Sequence, residues 1–281
     1  VNKYDVVADV NGVPRQTGTA SAINLHTYEG RADVEVAIDQ MLAAFPNLEW
    51  VGVAVSWYAT SKDAGLAEIF PKVEYHETQA TTTPLTWSVA GYDRNTAPVV
   101  EEFGDGTPTF GGTPSDKSVV DVCAYLKSKG LSVMLYPFLM VDTTSAMLGE
   151  DDKPWRGRIT PATSADVTTF FTGANGYNRF IRHYAQLTVG GINLKDNIDA
   201  FVIGSEMVGL TSYDSGGHTY PAVTQFKTLA GLIQSDLGGT PLVGYAADWS
   251  EYHSTGGWYN LDPLWTDANI DFVDRKSTRL N

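Results

Sequence analysis

The run Glu49-Trp50-Val51-Gly52-Val53-Ala54-Val55-Ser56-Trp57-Tyr58 decides the fold class. It is almost continuously apolar and rich in β-branched residues. A strand with one wet face would alternate with polar residues, so this pattern suits a strand buried on both faces, as parallel strands are. Just upstream, Val34, Ile38, Met41, Leu42 and Phe45 recur at helical spacing and stop before Pro46. The chain therefore opens a unit of helix followed by buried strand.

That unit recurs. Val119, Val120, Cys123, Leu126 and Lys127 predict a helix ending at Lys129-Gly130, with an apolar strand over Leu131 to Met140 that closes at Val141-Asp142. A helix over Tyr177 to Val189 precedes the strand Ala200 to Gly204, and a helix over Val223 to Leu237 precedes the strand Leu242 to Ala247. A fifth strand begins at Ile270-Asp271-Phe272-Val273. Repeated helix-then-strand units argue for right-handed crossovers and a parallel sheet.

A doubly wound sheet and a β/α barrel both fit this pattern. The first calls for a Gly-rich turn after its first strand, and Ser56-Trp57-Tyr58-Ala59 is bulky instead. Polar or acidic residues recur where strands end, followed by aromatic loops, which is how barrel active sites are built. The expected fold is α/β, a TIM-type barrel with about five of its eight strands present. Residues 1–30 read as a lead-in from an upstream domain, with turn chemistry at Asn11-Gly12 and Val13-Pro14. Residues 31–273 read as the partial barrel. Within it, residues 59–115 form a long excursion after the first strand, with a small hairpin at Leu85 to Val89. Loops of that length are usually functional or small subdomains.

Composition narrows the function. The 281 residues carry 33 acidic against 19 basic side chains, a net charge of -14 that repels phosphate backbones and anionic bilayers alike. No apolar run approaches the roughly 20 residues that span a bilayer, so neither nucleic acid nor membrane insertion is expected. The one cysteine, Cys123, lies in an apolar helical pattern and is expected to pack as a small hydrophobe. His26, His76, His183, His218 and His253 share no ligand spacing. His-Glu-x-x-His, Gly-x-Ser-x-Gly and P-loop patterns are all missing, so no metal and no cofactor is expected.

The candidate chemistry sits at strand ends. Glu206, in Ile203-Gly204-Ser205-Glu206-Met207, would lie at a barrel mouth, where burial raises a carboxyl pKa towards that of a general acid. Residue type alone leaves open a helix N-cap role for the same pair, Ser205 with Glu206. Asp248, Trp249, Glu251 and Tyr252 follow the fourth strand with His253, like a sugar-binding rim of carboxylates and ring faces. Trp57, Trp155 and Trp265 are further aromatic candidates for substrate contact, and Asp142 is a candidate for the same mouth. Arg156 and Arg158 are the main basic spot of an acidic chain. They suit either a carboxylate clamp or surface salt bridges.

Seven segments then occur in order: Thr113-Pro114, Tyr136-Pro137-Phe138, Trp155-Arg156-Gly157-Arg158-Ile159-Thr160, Ile203-Gly204-Ser205-Glu206-Met207, Tyr220-Pro221-Ala222-Val223, Tyr245 to Tyr252, and Leu261-Asp262-Pro263-Leu264-Trp265. Together they resemble the glycoside-hydrolase/TIM-barrel-like domain of phage-tail and gene-transfer-agent hub proteins, from about residue 30 to 273. The resemblance implies a barrel akin to retaining glycosidases, carried on the tail of a phage-like particle made in the bacterial cytoplasm. Its implied partners are cell-surface polysaccharide or peptidoglycan glycan and other tail or baseplate proteins. It also implies that Glu206 is the acid/base glutamate that follows the fourth strand.

In relatives the strand beginning Ile270 continues differently, and a later Thr-Glu pair offers the nucleophile. Residues 274–281 therefore read as a non-native tail on a chain that lacks this nucleophile, and Glu251 is expected to bind or position substrate. The alternative reading is a catalytically inactive structural or adhesion module of the hub. Either way, Glu206 and the Asp248 to Glu251 loop are expected on one face, with side chains within about 15 Å, the width of a barrel mouth.

Overall fold

Five parallel strands carry the architecture. A computed structural model describes residues 3–6, 21–22, 24, 26, 28–83, 86–142, 156–253 and 257–275. In chain order these form β1 (Lys3–Val6), β2 (Ser21–Ala22), α1 (Asp33–Ala44), β3 (Trp50–Ala59), β4 (Ile69–Phe70), β5 (Ala80–Thr83), β6 (Ser88–Val89) and β7 (Tyr92–Asp93). Next come α2 (Asp116–Ser128), β8 (Ser132–Val141), α3 (Ser164–Thr172), α4 (Tyr177–Ala185), β9 (Thr188–Val189) and β10 (Ile192–Asn193). The chain continues through β11 (Ala200–Ser205), α5 (Val208–Thr211), α6 (Pro221–Leu237), β12 (Leu242–Ala247), α7 (Asp262–Trp265) and β13 (Phe272–Arg275).

Strands β3, β8, β11, β12 and β13 lie side by side in that order, all parallel, with the short β4 antiparallel on the outer edge of β3. The order never reverses, as it must at the crevice of a doubly wound sheet. The winding is that of a β/α barrel, five strands of it, with the sheet open between β13 and β4 among the described residues. Pairing in β13 runs through Asp274 and Arg275, opposite Ala246 and Ala247, while residues 276–281 lie outside the described set.

The two faces of the sheet differ as a barrel requires. On one face, Val55, Trp57, Val133, Leu135, Phe201, Ile203, Val243 and Tyr245 join the main core with Val119, Cys123, Phe180, Phe226 and Ile233 from the helices. On the other, Tyr136, Val202 and Ala246 cluster with Met134, Phe138 and Phe272, all from strands. In α6, Ala222, Val223, Phe226, Leu229, Ala230, Ile233 and Leu237 are buried, the i, i+3, i+4, i+7 stripe of a helix lying on a sheet, and Gly238 ends it at φ +77°. Cys123 packs as expected, and burial pushes its thiol up to about 12.

Aspartates fix the strand register at the foot of the sheet. Asp199, just before β11, donates its N–H to Val133 O, and its carboxylate accepts from Val133 N at 2.7 Å and from Lys127 Nζ. Asp271, just before β13, repeats this on Val243, with Gln234 in place of the lysine. Above the foot, the ladder between β8 and β11 continues only through the pairs Met134–Ala200 and Leu135–Phe201. Pro137, two residues on, has no N–H to give.

The excursion after β3 folds over the strand ends. Its hairpin is β6 with β7, later than the expected Leu85 to Val89, and residue 85 lies outside the described set. β5 pairs with β1, which ties the N-terminal segment to the excursion, and the turn residues 11–14 lie outside the described set. The helix expected to reach Val189 ends at Ala185, because Thr188–Val189 turns back as a hairpin with β10 through Gly190 and Gly191, both at positive φ. The excursion is anchored by a buried ion pair. Lys72 Nζ bonds the carboxylate of Asp142, which also accepts from Glu101 N at 3.0 Å. Asp142, expected at the mouth, is therefore committed to holding the excursion.

Removing one partner of a buried pair strands the other charge. We expect Asp142→Asn to destabilise the fold by about 3 kcal/mol and to speed proteolysis within 59–115. Urea midpoints and limited proteolysis check this, and an unchanged midpoint would refute the anchoring role.

Candidate active site

The site begins with an irregularity in β11. Val202 pairs with Gly244 but Ser205 with Ala246, so three steps on β11 oppose two on β12. Such a bulge re-aims the side chains after it. Gly204 sits within it, where a Cβ would fall 2.8 Å from the rings of Phe226 and Tyr245. Ser205 turns to the inner face, and its hydroxyl bonds that of Tyr136 on β8. Glu206 follows with φ +52°, in the left-handed region that side chains seldom adopt. Its own N–H is tied to Ala246 O at 2.9 Å, and the next N–H, of Met207, to the Tyr245 hydroxyl at 3.1 Å. Strain of this kind, of order 1–3 kcal/mol, persists only where its surroundings enforce it.

The Glu206 residue is 4% exposed. A carboxylate taken out of water needs a cation and hydrogen bonds, and the Arg156-Gly157-Arg158 segment supplies both. Arg156 Nη2 donates to Glu206 Oε2 at 2.7 Å, and Arg158 Nη1 donates to the Glu206 carbonyl at 3.2 Å. Gly157 makes this possible. At φ +70°, a Cβ there would lie 2.6 Å from Leu139 O, so only glycine lets the segment press on the end of β8 and project both arginines. Trp155, the neighbouring candidate, lies outside the described residues.

Across from Glu206 stands Asp248, at the tip of β12. Arg158 Nη2 lies 3.9 Å from Glu206 Oε2 and 4.0 Å from Asp248 Oδ2, so the two carboxylates approach within about 8 Å. The expected shared face is therefore present. Burial opposes ionisation of Asp248, yet hydrogen bonds from Ser250 and the charges of Arg158 and Arg156 hold its carboxyl below the usual range. Trp249, 62% exposed, stands beside it as an open ring at the rim.

The remaining candidates fall elsewhere. Glu251 is fully buried. One oxygen accepts from Thr211 and Tyr245 hydroxyls, both at 2.7 Å, and the other from Asp248 N at 2.7 Å. It cannot reach a substrate. It closes the capping box of the Trp249–Tyr252 3-10 turn and locks that turn to α5, the helix just past Glu206. Tyr252 and Trp265 pack behind it, with ring centroids 6.2 Å apart and Trp265 5.9 Å from Tyr245. Trp57 is a correction. It points to the helix side, buried, donating to the Tyr184 hydroxyl at 3.0 Å and stacked on Phe180. As an odd-numbered residue of β3, it shares the face of Val55 rather than that of Tyr58 and the mouth.

Glu206 follows β11, the third parallel strand counted from β3 among the described residues. Its surroundings, not its count, give it a site. The part of the bowl that sequence reading missed is the inner wall, Tyr136 and Ser205. The glycine within β11 was the available signal, since an isolated glycine in a strand marks a bulge. Among the described residues no group of three or more His, Cys, Asp or Glu side chains is placed to hold a metal ion, and no helix is long and apolar enough to cross a membrane.

Residues 175–275, from just before α4 through β13, match the family model of the GTA TIM-barrel-like domain. No curated protein sequence matches the chain. Among solved structures it is similar to a GH113 β-1,4-mannanase complex, at 17% identity over 86% of this chain and 55% of that one, with a TM-score of 0.46. It is also similar to the GH113 β-mannanase AaManA of Alicyclobacillus acidocaldarius bound to ManMIm, at 15% identity over 87% and 55%, with a TM-score of 0.48. The chain spans little more than half the length of these structures.

Burial pushes the Glu251 carboxyl up to about 7, against its hydrogen bonds from Thr211, Tyr245 and Asp248. A carboxyl raised on folding favours the folded state fully below its unfolded value of 4.5, and that contribution is lost as pH rises through about 7. Relative to Glu251→Gln, the wild type should lose up to about 3 kcal/mol between pH 4.5 and 7.5. Urea unfolding of both proteins across that range measures it. A difference independent of pH would contradict a buried, titrating Glu251.

Proposed function

We propose that this chain is a glycoside-hydrolase-like barrel domain of a phage-tail or gene-transfer-agent tip protein, acting on or binding cell-surface polysaccharide or peptidoglycan glycan. The observation that carries the reading is the geometry at Glu206. A carboxylate held in a strained backbone at a strand tip, clamped by Arg156 and facing Asp248 across Arg158, is costly to build and contributes little to packing. The ordered motifs and the match over residues 175–275 support a barrel of this kind. In this reading the domain works on the tail of the particle, beside other tail proteins.

Hydrolysis of a glycosidic bond asks for two carboxyl groups. One protonates the leaving oxygen as the anomeric C–O bond breaks. The other stabilises the positive charge that develops, either by bonding the anomeric carbon or by taking a proton from the attacking water. Glu206 takes the first role in its protonated form, the proton on Oε1, with Arg156 orienting the carboxyl through Oε2. Asp248, held ionised, is the carboxylate within reach for the second. Trp249 offers a ring face on which a sugar can lie. Adhesion without cleavage is the second reading, favoured by the Arg156 bond that already occupies Glu206 Oε2.

The test incubates the chain and Glu206→Gln with peptidoglycan and β-1,4-mannan, following both released reducing ends and retained protein. Under the hydrolase reading, cleavage falls by roughly 10²–10⁴-fold in the variant while retention persists. Retention without cleavage by either protein selects adhesion. Neither retention nor cleavage overturns both readings.

A further inference from the structure

A second cleft lies beside the Glu206 bowl, beyond α5. It encloses about 420 Å³ and is lined by His218 and Tyr220, by Val223 and Lys227 of α6, and by Asn260 and Pro263. That is within the roughly 300–1,000 Å³ that small-molecule sites occupy. Two features give it the chemistry of a sugar site. The first is a ring wall. The imidazole of His218 lies flat on the indole of Trp258, with centroids 3.5 Å apart and planes 27° from parallel, so a backed aromatic surface borders the cleft. The pyranose ring has an apolar face of C–H groups that packs on such surfaces.

The second is preorganisation. Asp214 accepts from the N–H groups of Gly216, His218 and Thr219, holding His218 at φ +60°. The loop is therefore set before any ligand arrives, which lowers the cost of binding.

We propose that this cleft is a glycan-binding subsite, distinct from the Glu206 bowl, which takes one ring of a neutral sugar chain with its apolar face on His218. The two sites are linked through α5, since Thr211 joins Asn260 by its carbonyl and Glu251 by its hydroxyl. A chain held in the cleft would thus be presented close to the bowl. The ligand class rests on the glycan reading above, but the site does not depend on catalysis.

The test titrates the chain by calorimetry with chitohexaose and with mannohexaose. His218→Asn removes the ring while tolerating the left-handed backbone, and His218→Phe keeps a ring on Trp258. At least one glycan should bind the wild type. His218→Asn should weaken that binding at least tenfold, with an unchanged melting temperature. His218→Phe should restore most of the affinity. Equal affinity in His218→Asn, or no binding of either glycan, overturns the subsite. Cleavage by the wild type reports on the hydrolase reading separately, so either proposal can fail while the other stands.

Discussion

A carboxylate deprived of water must be met by positive charge, and much of the upper half of this molecule follows from meeting it at Glu206. The bulge in β11 turns the residue inward, and the left-handed backbone commits it there. Arg156 and Arg158 then have to arrive from a separate loop. They do so because Gly157 lets that loop lie directly on the β8 carbonyl. Arg158 in turn reaches Asp248, which draws the β12 loop into the same arrangement. Three loops from three strands are thus held by one charge, and the bowl between them is its by-product.

Glu251 shows how closely binding and supporting residues resemble each other in a sequence. Both Asp248 and Glu251 are acidic, both follow β12, and both flank aromatics. Only the turn separates them: Asp248 caps it and faces Arg158, while Glu251, three positions on, folds back beneath it. A capping-box spacing of acid, two residues, acid carries that distinction. It is written in the chain, but reading it requires knowing that a turn begins there.

The same contrast runs through the fold. All five parallel strands were legible because apolar runs bounded by turn residues leave little choice, and α6 because its stripe is long and ends in glycine, but β3 is not buried on both faces throughout: Trp50, Gly52 and Ala54 in its first half are exposed, as is Val273 of β13. The strand order also followed from the helix-then-strand repeat. What was not legible depends on facing. Trp57 and Tyr58 are neighbours of equal appearance, yet period-two alternation sends one into the helix layer and the other towards the mouth. Helix α3 escaped notice despite Thr163 and Asp166 forming its capping box and Val167, Phe170 and Phe171 its buried stripe, because Val167, Thr168, Thr169 and Thr172 are β-branched and read against a helix. Asp142 looked like a site residue because it ends a strand, and only the folded excursion reveals Lys72 beside it.

The sheet is stapled at its foot and loosely joined at its rim. Asp199 and Asp271 each clasp the neighbouring strand at the base, whereas the β8–β11 ladder gives out before Pro137. Such a frame separates inheritance from invention. The base sets alignment once and for all, while the segments above it are free to lengthen, shorten or change chemistry, so that descendants of one scaffold can come to grip quite different surfaces.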